Sequence, residues 1–302
     1  MLKIKQSTKD FFAMHGMKNV LHFLHGYAYL AWTEKYIYLG LNIGVKYLPK
    51  PVTEAFLGWI VPRYHAKVVQ HADARKILTL DIDVALDAEL SKKIIPFDIA
   101  NKVILNSPGN ITVMNCACRH VNKNACSSPK VGTQVCFLIG EPQASFVLEH
   151  AKALNPRKVT SEEALEIIQE AHNCGWVHHV WLKDAVGGAT YAMCNCCKCC
   201  CGATFAMRML NNKTFKIKNN VKPVLSSGYT IQRDNERCVG CGVCVQTCPY
   251  AAVALDPAMQ KAVITYTECM GCGVCVDKCP HQAIVLARDE AKGIPLDMNA
   301  LL

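Results

Sequence analysis

A twelve-residue run occurs twice near the end of this chain of 302 residues, and it constrains the fold more than any other feature of the sequence. Cys238-Val-Gly-Cys241-Gly-Val-Cys244-Val-Gln-Thr-Cys248-Pro249 returns as Cys269-Met-Gly-Cys272-Gly-Val-Cys275-Val-Asp-Lys-Cys279-Pro280, with a period of 31 residues. Thiols this close along a chain are poorly placed to bridge one another, and C-x-x-C spacing suits a metal. Thiolates are soft anionic donors, and four of them satisfy the four irons of a cubane. Gly240, Gly242, Gly271 and Gly273 let the backbone wrap closely and turn amide N–H groups toward the sulfurs. Zinc would use the same donor, but it favours paired C-x-x-C knuckles over four-cysteine runs that end in proline.

Residues 235–290 resemble the bacterial two-cluster ferredoxins, whose C-x-x-C-x-x-C-x-x-x-C-P run is the same. In that family the fourth cysteine of each run ligates the other cluster. The resemblance therefore implies one [4Fe-4S] cluster on Cys238, Cys241, Cys244 and Cys279, and a second on Cys269, Cys272, Cys275 and Cys248. It also implies pseudo-twofold symmetry. Cubanes with four cysteine ligands have no open position for substrate, so their work is one-electron relay. Tyr250–Leu255 and His281–Leu286 each read as a packed turn followed by a strand.

The sequence holds nineteen cysteines, so eleven remain. Cys116, Cys118, Cys126 and Cys136 form one group, separated by loops short enough to close. Cys194, Cys196, Cys197, Cys199, Cys200 and Cys201 form a second, six thiols within eight residues. Clustered thiols with polar spacers are not ordinary core. Three uses are open: an additional [4Fe-4S] cluster in each group, ligands shared between the groups around one or two clusters, or a zinc site in one of them. One or two further iron–sulfur clusters is the favoured reading, because the terminal runs already imply cluster loading. Arg119, His120, His178, His179 and Lys198 are the polar residues expected near the end of such a wire. Cys174 is expected to pack in the core or to serve as a stray ligand.

The run Cys196-Cys197-Lys198-Cys199-Cys200-Cys201-Gly202 is similar to the paired-cysteine signatures of the heterodisulfide reductase catalytic family, but that family spaces its cysteines more widely, and nothing is carried over. The overall layout, a C-x-C-R region, a cysteine-rich knot and a terminal ferredoxin-type domain, looks like iron–sulfur proteins of anaerobes. Other cofactors leave no mark. Phe137-Leu-Ile-Gly-Glu-Pro and Val186-Gly-Gly-Ala fail as dinucleotide fingerprints. A Walker A sequence and the C-x-x-x-C-x-x-C pattern of radical SAM enzymes are both missing from the chain.

The expected fold class is α+β: a ferredoxin-like two-cluster domain (235–302) appended to a mixed α/β cysteine-rich domain (76–209). A helical, aromatic and basic region (1–75) precedes them, and a linker (210–234) with Lys213, Lys216, Lys218 and Lys222 joins them. A strand is expected from Ile77 to Val84, a helix entry at Pro96–Val103, and a strand from Gly109 to Met114 that delivers Cys116. A helix capped by Thr160, with Glu163 completing the box, should end near Cys174-Gly175. A strand at Trp176–Trp181 would follow, making with that helix a winged-helix-like unit.

Net charge is +9, concentrated at the start: residues 1–75 hold ten Lys/Arg against four Asp/Glu, whereas Cys238 onward holds four against six. An anionic membrane surface or an acidic redox protein suits this pattern better than nucleic acid, which is not expected as a partner. The stretch Asn19–Thr33 lacks Asp, Glu, Lys and Arg but spans only 15 residues, short of the roughly 20 that cross a bilayer. The apolar, aromatic segment 12–62 that contains it is read as a helical cover over a core, as a peripheral membrane attachment or as a greasy channel for a quinone-like partner. Met1–Asp10 has no apolar signal-peptide core, and the clustered thiols suit a reducing compartment, hence the cytoplasm, with the inner membrane face as an alternative station. An electron-transfer protein is expected, or alternatively a reductase with its own substrate at an upstream cluster. A regulatory module, its upstream cysteines binding metal to hold a fold, is a third reading.

Overall fold

The computed structural model describes residues 4–60, 64–85, 94, 104–122, 124–187, 190–211, 214 and 222–297. Its strands are β1 (Tyr64–Val69), β2 (Val84–Ala85), β3 (Ile104–Leu105), β4 (Ile111–Asn115), β5 (Gln134–Ile139), β6 (Arg157–Val159) and β7 (Val177–Lys183). The chain continues with β8 (Thr190–Cys196), β9 (Val224–Leu225), β10 (Tyr229–Arg233), β11 (Val253–Asp256), β12 (Lys261–Ile264) and β13 (Ile284–Arg288). Seven of them form one sheet in the order β6-β4-β5-β8-β7-β1-β9. Every neighbour pair is antiparallel except β1 with β9.

The central strands are apolar on both sides, as burial of both faces demands. Side chains alternate along each strand, and the register sorts them. Cys136 pairs with Cys194, and His179 with Cys194, so Cys136, Cys194, Cys196, His179 and Trp181 share one face. Val135, Phe137, Met193, Asn195, His178 and Val180 share the other. Helix Ser161–Asn173 covers this second face with Ile167 and Ile168. Thr160 caps the helix by accepting the Glu163 amide at 3.2 Å, and Gly175 ends it at φ +73°. The Glu163 carboxylate does not close the capping box; it pairs with Arg157 at 2.6 Å. Strand β7 is an interior strand of the large sheet, so the winged-helix-like unit is not formed.

The N-terminal helices, chiefly Gln6–His15, Val20–Ala31 and Lys50–Ile60, lie over the first face. Phe11 and Tyr27 pack on Phe146 at 4.9 and 5.0 Å between ring centroids, the first tilted and the second edge-on. A Cβ on Gly26 would sit 1.8 Å from the Ala185 carbonyl oxygen, so the glycine is what lets helix Val20–Ala31 approach the chain after β7. Pro51 lies in the first turn of a helix, where its missing N–H costs nothing. The strand expected over Ile77–Val84 is different: His71–Ile77 is helical and only Val84–Ala85 extends. Ala, Arg and Lys favour the helix. Pro96–Val103, Lys213, Lys216 and Lys218 lie outside the described residues. Within 210–234, β9 joins the large sheet and β10 pairs with β13.

The C-terminal portion packs on the β1–β7 end of the first face. Ala66, Val68, Cys196, Cys201 and Met207 share a core with Cys248, Tyr250, Cys269 and Cys275. Polar contacts fix the junction: Lys198 Nζ donates to the Gln246 carbonyl at 2.7 Å, Lys278 Nζ to the Asn173 carbonyl at 2.7 Å, and Ser227 Oγ to the Gly271 carbonyl at 2.7 Å.

Candidate functional site

The repeated runs fold alike. Gly242 and Gly273 are left-handed at φ +75° and +80°, and each starts a short helix, Val243–Thr247 and Val274–Asp277. Two hollows result. One is lined by Cys238, Cys241, Cys244 and Cys279, the other by Cys248, Cys269, Cys272 and Cys275. Each hollow thus holds three cysteines of one run and the last of the other. The two crossing sulfurs are treated identically: Ala252 N donates to Cys248 Sγ and Ala283 N to Cys279 Sγ, both at 3.3 Å. A Cβ on Gly240 would lie 1.9 Å from the Gln260 carbonyl oxygen and one on Gly271 2.1 Å from that of Tyr229, so both loops need glycine.

The environments of the hollows differ. Cys241 is exposed, whereas Cys248, Cys269 and Cys275 are buried. Burial, then the neighbouring thiols of Cys248 and Cys269, pushes the Cys275 thiol well up. For Cys238 burial acts the same way, but amide N–H groups of Ala262 and Gly240, with Arg233 and Lys261, hold the thiol below its usual range.

The upstream thiols regroup across the two sequence clusters. Strand β4 ends at Asn115, Cys116 follows it, and the single turn Ala117–His120 carries Cys118. Six thiols influence one another's ionisation as neighbours in the order Cys194, Cys136, Cys116, Cys118, Cys201 and Cys196. Cys118 and Cys136 together hold the Cys116 thiol well below its usual range, and Cys118 and Cys196 do the same to Cys201. The remaining four, Cys126, Cys197, Cys199 and Cys200, bring their sulfurs within 4.8 Å of one another. All ten upstream cysteines therefore fall in two sets, each drawing on both stretches of sequence. Cys174, expected in the core, is exposed, with its sulfur 3.9 Å from Glu170 Oε1.

Arg119 joins the sets. It is fully buried, donates from Nε to Cys126 Sγ at 3.4 Å and from Nη1 to the Asn195 carbonyl at 3.2 Å, and lies 3.7 Å over the Trp176 ring. Burial alone would lower its pKa, but Cys116, Cys197 and Cys126 reverse the sign and raise it. His179 stands at the other end, its ring within 4.8 Å of the Cys196 and Cys201 sulfurs. His178 points to the opposite face, His120 is exposed, and Lys198 serves the domain junction.

A [4Fe-4S] group fits these surroundings on chemistry. The donor sets are soft and negatively charged when ionised. Arg119 Nη2, His179 Nδ1 and Trp181 Nε1 are buried with no hydrogen-bond partner among the described residues. Buried donors left unmet cost free energy, and sulfide-rich anionic groups are acceptors for them.

Tyr250 links the terminal and upstream thiols. Its hydroxyl lies 2.6 Å from His179 Nε2, and the ring is fully buried. Burial, then the charges of Cys272, Cys196, Cys201 and Cys248, raises its pKa well above the usual value. Sequence reasoning passed over this residue because an aromatic after a Cys-Pro pair reads as packing.

A further cavity of about 220 Å³ opens between the upstream thiols and the N-terminal helices. Cys116, Cys118, Cys136, Cys194, Cys196, Cys197 and Cys201 are in its lining, so it is the space among the upstream thiols, and Tyr29, Tyr36 and Trp181 are among the residues that close it. Tyr29 donates to or accepts from Tyr191 at 3.0 Å, and buried Lys183 sits 3.5 Å over the Tyr29 ring.

A family model described as a 4Fe-4S dicluster domain matches residues 230–280. Neither a curated protein nor a solved structure matches the chain. The matched residues contain both cysteine runs, so the C-terminal portion is an iron–sulfur domain of the ferredoxin type within a mixed helix and strand protein.

Proposed function

We propose that this protein relays low-potential electrons between a redox protein partner and the thiol-lined chamber on its large sheet. Loaded with [4Fe-4S] clusters, two in the terminal domain and one or two upstream, the cysteine sets supply one-electron storage and transfer. The observation that carries the reading is Tyr250, packed between Cys248 and Cys272 on one side and Cys196, Cys201 and His179 on the other. Cys241 at the surface suits exchange with a partner, and the buried Cys248 set suits inward transfer. Tyr250 and His179 hold the passage dry and closely packed, while Arg119 balances the thiolate charge.

Iron and acid-labile sulfide per chain, measured after anaerobic purification and joined to EPR of the reduced protein, test this. About sixteen irons would correspond to four [4Fe-4S] sets. A value of about eight would confine the relay to the terminal domain and defeat the upstream part of the proposal.

A second reading, a reductase acting on its own substrate, is favoured by the apolar cavity against Cys116, Cys136 and Cys194. A small apolar acceptor, such as a benzoquinone, should then perturb the EPR of the reduced upstream sites and be turned over. Unchanged spectra and no turnover would leave the carrier reading alone.

For attachment, we place the protein in the cytoplasm with its N-terminal helices against an anionic membrane face. Met17, Leu21, Leu24, Leu39 and Tyr47 are exposed there, Leu21 at 79%, in the part of the chain with the excess of Lys and Arg. Among the described residues no helix is long and apolar enough to cross a membrane.

A further inference from the structure

On the face of the sheet away from the thiols, three histidines from three elements converge. His71 begins helix His71–Ile77, His172 lies in the last turn of helix Ser161–Asn173, and His178 is in β7. One ring nitrogen from each lies within 4.8 Å of the others. His71 and His172 are partly exposed and His178 is buried, so the cluster has a floor and an open side.

The hydrogen bonds around the rings decide what the cluster can hold. Asn195 Nδ2 donates to the Val135 carbonyl at 2.7 Å, which turns Asn195 Oδ1 toward His178. That oxygen lies 2.6 Å from His178 Nδ1, so Nδ1 carries the proton and Nε2 is left with a lone pair. Gln169 Nε2 donates to Asn173 Oδ1 at 3.1 Å, and Gln169 Oε1 therefore accepts from His71 Nε2 at 3.1 Å, leaving a lone pair on His71 Nδ1. His71 Nδ1 and His178 Nε2 face each other at 3.1 Å. Two lone pairs at that separation repel unless a cation lies between them. The third ring brings a carboxylate beside it, His172 Nε2 lying 3.5 Å from Asp277.

His71 and His178 thus each have the outer nitrogen on an oxygen acceptor and the inner nitrogen turned to the other ring, and the His172 ring stacks on His71 at 4.1 Å between centroids. That is the arrangement metal-binding histidines adopt, with an acceptor fixing tautomer and ring orientation. We propose that His71, His172 and His178 form a mononuclear site for a divalent transition-metal ion of the zinc class, with a position open to solvent. Neutral imidazoles suit such ions. The proposal uses none of the residues of the electron relay and stands or falls separately from it.

The test is zinc uptake by the anaerobically purified, iron-loaded protein, measured by competition with a chromogenic chelator. His71→Gln and His172→Gln are compared with the wild type, and iron content is measured in parallel. The wild type should hold one zinc per chain, and each variant should bind it at least tenfold more weakly with iron unchanged. X-ray absorption at the zinc edge should show nitrogen or oxygen neighbours at about 2.0–2.1 Å and no sulfur shell at about 2.3 Å. No uptake, equal affinity in the variants, or a sulfur shell would each overturn the proposal. Should His71→Gln lose iron through misfolding, the half-exposed His172→Gln decides the matter.

Discussion

His179 and Tyr250, 71 residues apart in sequence, meet at 2.6 Å inside the core, Nε2 to hydroxyl. The contact ties the central strand β7 to the terminal domain within the core that Cys196 and Cys201 share with Cys248 and Cys269. Tyr250→Phe keeps the ring and removes the oxygen, leaving both nitrogens of a buried imidazole without a partner. The expected cost is about 1–3 kcal/mol of stability, with iron content intact. Transfer from the terminal to the upstream sites, followed by rapid-mixing spectroscopy, should slow. An unchanged rate would remove Tyr250 from the path.

The crossing of the runs can be tested by single substitutions. Cys279→Ala should abolish the EPR signal of the Cys238, Cys241 and Cys244 site, although Cys279 belongs to the other run. Cys248→Ala should instead affect the site of Cys269, Cys272 and Cys275. Each should lower iron by about four per chain. If Cys279→Ala affects the site of its own run, the shared lining of the hollows is misleading.

Gly26→Ala places a methyl where the Ala185 carbonyl oxygen already lies. Overpacking of this kind costs roughly 1–3 kcal/mol, and here the obstacle is backbone. The midpoint of anaerobic thermal unfolding should fall, with the terminal EPR signals retained. An unaltered midpoint would mean that helix Val20–Ala31 does not dock as described.

Lys67 sets a pH dependence. Its ammonium is buried in β1, donating to the Ile94 and Ser226 carbonyls, each at 3.1 Å. Burial, and then Arg288, lowers its pKa to about 8 from 10.5. Between those values the unfolded chain binds more protons than the folded one, so stability should rise with pH across that window. The full shift corresponds to about 3 kcal/mol as an upper bound. Denaturant titrations of wild type and Lys67→Met at pH 7.5 and 10 check it: the difference between the two proteins should move in favour of wild type at the higher pH. No movement would show that the amine titrates normally.

The membrane expectation has its own measurement. Vesicles rich in anionic lipid should co-sediment the protein at low salt and release it as salt is raised. Leu21→Glu with Leu24→Glu should weaken the association at least several-fold. Equal binding to neutral vesicles would exclude the basic region as its cause.

What could be read from the sequence was local. The cysteine runs announce themselves by spacing, β4 leads to Cys116 as expected, and Thr160 and Gly175 bracket their helix because caps and left-handed glycines act over a few residues. The partition of the upstream thiols was not legible. It depends on the pairing of Cys136 with Cys194 and on the loop that returns Cys126 to Cys197, Cys199 and Cys200, which are matters of register and closure across long separations. Arg119 was identified as polar and adjacent, but its burial against Trp176 required a second strand. His178 and His179 looked like one motif, and only their position within an interior strand separates them. Cys174 was misplaced because the last turn of a helix has an open side as well as a packed one.

The hairpin of β7 and β8 carries a selectivity that neither strand has alone. A slip of one residue would send His178 toward the sulfurs and His179 toward the imidazoles, since side chains change sides at every step. The sulfurs and the imidazoles are therefore kept apart by a wall one peptide thick, and their separation is decided by how that hairpin zips.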